Sequence, residues 1–238
     1  MTDPQRSPTG AAPDAASPVR RERLTREQIL ATALRMVDAE GIEALSMRRL
    51  GHELGRDAMS LYRYVPNRAA LIDGIMEAVM DELVPGADDA DWRSQLRRAA
   101  QSFRELALAH PHVVALIVVQ PLSTPLALRP RASLRLLEDL LALLGRAGWG
   151  PDLALRVASL YLGTLFGHLL TELQRLDVNR GETDPLVRLG LHRLPLSEFP
   201  QLRALAPRLA GSDGAAELHF RLSVLFSGLE QELDFPPG

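Results

Sequence analysis

Apolar residues along this chain return every three or four positions, and no strand-like alternation persists, so the pattern predicts helices throughout. Ile29, Ala33 and Val37 form one row and Leu30 with Leu34 the next, predicting a first helix over about Thr25 to Glu40 with Thr25 as its N-cap. Gly41 should end it in the left-handed C-cap conformation that glycine favours. A short second helix is expected from the N-cap Ser46 to about Leu54, turning Leu50 and Leu54 inward, with Gly55 breaking it. A third covers roughly Asp57 to Val65. After Pro66, Asn67 caps a fourth that runs from Arg68 to about Leu83.

Pro85-Gly86 and the acidic stretch Asp88 to Asp91 read as a hinge. Beyond it, Trp92, Leu96, Ala99, Phe103 and Leu106 line one face of a helix that ends before Pro111. A short apolar segment, Val113 to Val119, follows. The next helix, about Pro130 to Arg146, carries Leu134, Leu137, Leu141 and Leu144 as its stripe. Pro151 suits the first turn of a long helix to about Leu176 that is apolar nearly all round. Residues 177–214, rich in proline and glycine, are expected as a loop with a short helix near Glu198 to Leu209. A last helix, Ala215 to Leu233, is apolar at Leu218, Leu222, Leu225, Leu229 and Leu233.

Composition narrows the chemistry. The 238 residues include no cysteine, which removes disulfides, thiolate metal sites and cysteine nucleophiles. All 27 basic residues are arginine, a usage that carries no functional weight by itself. The net charge of −3 hides an asymmetry: residues 1–70 hold 11 Arg against 9 Asp and Glu, the remainder 16 against 21. The start, Met1 to Val19, lacks the apolar core of a secretory signal, and residues 1–23 are expected as a disordered arm ending in Arg20, Arg21 and Arg23. Leu153 to Leu170 contains Arg156 and His168, a poor membrane span, so no membrane partner and a cytoplasmic location are expected.

The most specific segment is Leu45 to Arg68, LSMRRLGHELGRDAMSLYRYVPNR. Two short helices joined by a tight turn at Gly55 are the sequence form of a helix-turn-helix, whose second helix must project from a rigid base into the DNA major groove. Leu50, Leu54 and Leu61 can brace the pair on the first helix. Over about Thr25 to Val79 the chain resembles the tetracycline-repressor (TetR) family, with Leu-Ser-x-Arg-x-Leu followed by Leu-Gly and Leu-Tyr-x-Tyr-Val-x-Asn-Arg. Gly51 stands where the family pattern has alanine, Tyr64 where it most often has histidine, and Arg68 where it has lysine. Weaker echoes continue the likeness: Ala-His-Pro at 109–111, Gly-Trp-Gly-Pro at 148–151, Phe-Pro-x-Leu at 199–202 and Phe-Ser-Gly-Leu-Glu at 226–230.

The resemblance implies an all-α fold. A three-helix DNA-binding domain with its linking helix (24–83) would join a larger helical ligand-binding and dimerisation domain (91–234). It implies that Arg48 reaches a guanine edge, and that Ala58, Met59 and Ser60 face bases, with the apolar pair suited to thymine methyl groups. Ser46, Tyr62, Tyr64 and Arg68 would hold phosphates and set the docking angle. It also surrounds a ligand cavity with Phe103, Leu116, Val119, Gln120, Leu137, Thr164 and His168. The family's namesake chelates a magnesium-bound drug through histidines; Leu116 and about Val84 occupy those places here, so neither metal nor cofactor is expected.

A helix apolar all round needs cover on both sides, and Ala158 to Leu170 with Leu218 to Leu233 predicts a homodimer through a four-helix interface. Catalytic signatures are missing. His52-Glu53 begins a zinc-protease pattern, but Arg56 replaces its second histidine, and no Gly-rich phosphate loop or G-x-S-x-G elbow occurs. The expected function is a ligand-responsive regulator, most simply a repressor released from a near-palindromic operator by a small apolar or amphipathic effector. The alternatives are an activator or cofactor-dependent regulator of the same fold, or a helical small-molecule-binding protein or enzyme without DNA binding.

Overall fold

The computed structural model describes residues 23–83, 91–119, 125–177, 187, 190, 193–195, 197–211 and 213–232. The expected arm up to Glu22, residues 84–90 with most of the expected hinge, and Gln120 lie outside them. All regular structure among the described residues is helical.

Helix α1, Arg26–Glu40, starts as its sequence anticipates: the Thr25 side chain accepts from the Gln28 N–H, and Gln28 returns the bond to the Thr25 N–H. Its end differs from the left-handed cap expected. Gly41 sits at φ 84°, ψ 171°, a region essentially restricted to glycine, and leads into a 3₁₀ turn, Ile42–Ala44, that periodicity did not anticipate. Helix α2, Met47–Glu53, is capped by Ser46, and helix α3 is only Ala58–Leu61, capped by Asp57. The third helix expected to Val65 thus stops after one turn. Val65 N–H still reaches Leu61 O at 3.0 Å, so the chain keeps turning toward Pro66. Helix α4, Arg68–Met80, begins at the Asn67 cap and ends three residues earlier than expected. Ile29, Ala33, Val37, Leu50, Leu61 and Leu71 are buried together where α1 to α4 meet.

The C-terminal bundle comprises α5 (Trp92–Ala109), α6 (Pro111–Val118), α7 (Arg131–Arg146), α8 (Pro151–Asp177), α9 (Pro200–Ala210) and α10 (Gly214–Glu232). Between α6 and α7 lies a 3₁₀ turn, Leu126–Leu128. The stripe read for α7 is rotated: Ala132, Leu140 and Leu144 are its buried residues, while Leu137 and Leu141 are half-buried. Helix α8 packs against α5, α6, α7 and α10 and is the bundle's central helix. By length and composition α8 could cross a membrane. Its buried face, however, carries Tyr161, Leu165 and Leu169 into the core, and Glu172 receives Arg104 of α5 through two bonds of 2.9 and 2.6 Å. Trp92 meets Trp149 and Phe226 edge-on at 5.2 and 5.4 Å, tying α5, the start of α8 and α10 together. The two halves touch through α1 and α4 against α6, and through α4 against α7.

Candidate nucleic-acid interface and cavity

The turn between α2 and α3 is tight for a reason visible at Gly51. A Cβ there would lie 2.8 Å from Arg56 O and 3.1 Å from Ala58 N, both backbone atoms, and Arg56 N–H donates to Gly51 O at 2.8 Å. Glycine at this place lets α3 approach α2 more closely than an alanine allows. Gly55, at φ 60°, completes the turn in left-handed geometry.

This base presents α3 with one side chain fully outward. Met59 is 72% exposed, whereas Leu61, two residues on, is buried in the base. Ala58 and Ser60 are half-buried, and the Ser60 hydroxyl donates to Asp57 O at 2.6 Å, so its proton is occupied. The Asp57 carboxylate accepts from Met59 N–H at 2.8 Å and caps the helix. Arg48 is exposed on α2 with no ion pair among the described residues, while its neighbour Arg49 is held by Glu40 of α1. Tyr62 is exposed; Tyr64 is half-buried against the core. Ser46 spends its side-chain oxygen on Arg49 N–H at 3.2 Å.

Arg68 has a further role that its sequence position did not signal. Its Nε donates to Leu45 O at 3.0 Å and its terminal nitrogen to Ile42 O at 2.8 Å. The start of α4 is thereby fastened to the carbonyls around the 3₁₀ turn, 23 and 26 residues earlier in the chain. The guanidinium fixes α4 to the helix-turn-helix and leaves its remaining N–H groups for any outside anion.

The sequence-derived cavity residues are scattered. A cavity of about 470 Å³ lies between α4, α5, α7 and α8, and of those residues that are described only Phe103 lines it. Leu116 borders a separate open groove beside Ile72 and Met76. Val119 is exposed, and Leu137 packs on the core away from the cavity. The Thr164 hydroxyl donates back to Leu160 O at 2.9 Å within its own helix. His168 is buried elsewhere, with Nε2 3.2 Å from Glu172 Oε2 in a geometry too oblique for a hydrogen bond.

The residues that do build the cavity follow helical faces that the apolar stripes obscured. Leu136, Leu140 and Leu143 come from α7, Leu96, Ala99 and Phe103 from α5, and Tyr161 and Leu165 from α8. The Tyr161 hydroxyl donates to Leu96 O at 2.9 Å, and burial pushes its phenol pKa up, so the wall it offers is a neutral aromatic one. The fourth wall is Met80, Asp81 and Leu83 at the end of α4. Charge is confined to the rim, where Asp81 pairs with Arg135 of α7 at 3.4 Å and Asp139 and Arg146 stand nearby. One signal was available in the sequence. Ala132, Leu136, Asp139, Leu140 and Leu143 repeat at three- and four-residue steps, a second face of α7 beside the leucine stripe.

A second surface concerns α8 and α10. Leu155 and Leu160 on α8, and Phe220 and Val224 on α10, are exposed apolar side chains. Further along α8, Gly163 and Gly167 face open space, with nothing within 4 Å of where a Cβ would stand.

Comparison with known proteins agrees with this architecture. Residues 84–233 match the family model described as "Tetracyclin repressor-like, C-terminal domain". Over 107 residues the chain is 37% identical to the HTH-type transcriptional repressor DrrR1 of Streptomyces coeruleorubidus, a match covering 44% of this chain and 40% of that repressor's length. An HTH-type transcriptional regulator of Saccharopolyspora erythraea is 27% identical over 198 residues, covering 83% of this chain and 80% of its own. Among solved structures, apo ActR of Streptomyces coelicolor superposes with a TM-score of 0.64 at 30% identity, covering 87% of this chain and 97% of ActR. ActR in complex with actinorhodin gives 0.68 at 28% identity, covering 88% and 98%.

Proposed function

The chain belongs to the tetracycline-repressor family, and on that premise we propose that it is a dimeric, ligand-responsive transcriptional repressor whose effector enters the cavity beside α4. The observation that carries this reading is the position of α4. One end, through Arg68, is bonded to the helix-turn-helix, and the other end, through Met80, Asp81 and Leu83, walls the cavity. A molecule filling that cavity has to act on the helix that carries the DNA-reading unit. For repression to be relieved, the effector must bind more tightly to the arrangement that DNA does not accept.

Residues 24–83 then form the DNA-binding unit and residues 91–234 the effector and dimer unit. Arg48 and the outward Met59 read base edges, Met59 through a thymine methyl, and Ala58 and Ser60 line the same approach. Ser46, Tyr62 and Tyr64 hold backbone phosphates, and Arg68 serves first as the fastening of α4. The exposed apolar face of α8 and α10 is the dimer surface. Its open glycines let two copies of α8 approach closely, which sets two recognition helices about one or more turns of DNA apart (~34–36 Å each). The protein works as a binding protein in the cytoplasm rather than as a catalyst. ActR, the solved neighbour, holds actinorhodin. Here apolar walls with a charged rim suit an amphipathic molecule with a flat or aromatic body.

The test is binding of the purified protein to DNA from upstream of its own gene and to an unrelated fragment, across a range of salt. The expected result is preference for the upstream DNA, weakening steeply with salt, and loss of that preference in Arg48→Ala. Equal binding to both fragments at every salt concentration would overturn the assignment to this operator. An Arg48→Ala protein with unchanged selectivity would remove Arg48 from base reading.

A further inference from the structure

The corner between α5 and α6 makes a contact that neither the DNA-reading surface nor the cavity uses. His110 closes α5, its backbone N–H donating to Leu106 O at 2.9 Å, and Pro111 opens α6. Its imidazole is turned away from the bundle and into the boundary with α1 and α4. Nδ1 lies 2.9 Å from Asp38 Oδ2 on α1, and Nε2 lies 3.6 Å from Glu82 Oε2, two residues past α4. The imidazole is 16% exposed and the Asp38 side chain 27%, so water competes little for this pair.

Asp38 is otherwise hard to account for. It lies in the last turn of α1, where the helix dipole disfavours a carboxylate and where α1 has no basic residue. Glu40, in the same turn, is answered by Arg49 of the same half of the molecule. Among the described residues Asp38 is answered across the boundary, and its second oxygen, Oδ1, is buried without a hydrogen bond. Two carboxylates, one on α1 and one just past the end of α4, thus converge on one imidazole from the other half of the chain.

We propose that His110 is a protonation-dependent clamp that holds the α1–α4 unit against the C-terminal bundle. A neutral imidazole has one N–H and can serve one carboxylate, whereas an imidazolium donates from both nitrogens. The Asp38 contact is already at hydrogen-bond length; the Glu82 contact, at 3.6 Å, is the one that protonation completes. The clamp is therefore tighter on the acid side of the imidazole range and looser on the alkaline side. The charged groups facing the ring among the described residues are Asp38 from α1 and Glu82 from beyond α4, while His112, two residues on, lies against Gly41. If the regulator reading holds, His110 is a positioning residue for regulation, because α1 and α4 move relative to the cavity helices only by straining or breaking this contact.

The test uses the full-length protein alone, without DNA or effector, so it stands or falls separately from the proposed function. Asp38→Asn, His110→Gln and the double variant form a cycle, read by thermal unfolding at about pH 5.5 and about pH 8.5, either side of the ordinary imidazole range. The expected result is a coupling between the two positions about twice as large, or more, at the acid pH. His168 titrates in all four proteins and cancels from the cycle. Glu82→Gln is expected to lower the melting temperature at the acid pH only. Coupling that is equal at the two pH values, or absent at both, overturns the clamp and leaves an ordinary structural contact. Should the variants fold poorly, the ring nitrogen chemical shifts of His110 in the unaltered protein decide instead. A change in those shifts between the two pH values supports the clamp, and shifts that stay the same at both overturn it.

Discussion

Thr25, Ser46, Asp57 and Asn67 all cap helices, because an oxygen one bond from the backbone can reach N–H groups two or three residues on. The Arg68 bonds to Ile42 and Leu45, and the His110 contact to Asp38, span 26, 23 and 72 residues, and no spacing announces them. His168 shows how the same residue type takes different meanings. Read in sequence as a ligand contact, it is 3% exposed and sits beside the Arg104–Glu172 pair. Burial pushes its pKa below the ordinary value; Glu172 opposes that shift, and Arg221 and Arg104 add to it. The unfolded chain therefore accepts a proton at this position more readily than the folded protein. The resulting stability is complete above the ordinary histidine range, about 6.5, and is lost as pH falls through and below it. His168→Gln should flatten the fall in melting temperature between about pH 7.5 and about pH 5.5, measured by circular dichroism; an unaltered slope would show that acid sensitivity arises elsewhere.

At the scale of elements, periodicity found most helices because each buries one face, and a 3.6-residue repeat is what one buried face writes into a sequence. It failed where two faces are used. The stripe read on α7 ran through Leu134, Leu137, Leu141 and Leu144, while a second face of that helix lines the cavity. It also overran α3, because Leu61 and Val65 keep helical spacing although the regular helix has ended. The long apolar helix α8 was read as covered on both sides. Within one chain it packs on four helices, yet Leu155 and Leu160 remain exposed, as do Phe220 and Val224 on α10. A charge placed on this face cannot be desolvated without a partner and disfavours association. Leu160→Glu should convert a dimer to a monomer in sedimentation equilibrium while leaving the helical circular dichroism intact, since the position already meets water in the single chain. A variant that still sediments as a dimer would place the interface on another surface.

For the molecule as a whole, charge distribution and two-fold symmetry act together. A net charge of −3 repels a polyanion at long range, so DNA binding has to come from a few arginines concentrated on the α2–α3 surface. Arg48 and Arg63 are both exposed there. If Arg48 reads a base and Arg63 holds a phosphate, their replacement should separate two quantities that affinity alone confounds. Losing a base contact changes discrimination, by about 1–3 kcal/mol per base pair, and leaves the salt dependence nearly as it was. Losing a phosphate contact weakens all sequences alike and lowers the slope of log K against log salt by about 0.9 for each contact. A symmetric dimer presents every side chain twice, so Arg63→Ala should lower the slope by roughly 1.8 on a palindromic site. The same substitution on a half-site bound by one subunit should lower it by only about 0.9. Fluorescence anisotropy titrations of both variants on both sites give all four slopes. A change of about 0.9 on the full site would mean that only one subunit engages DNA, whatever the dimer does in solution. A slope change at Arg48 instead of Arg63 would exchange their roles and move base reading from α2 to α3 alone, with Met59 as its outward side chain.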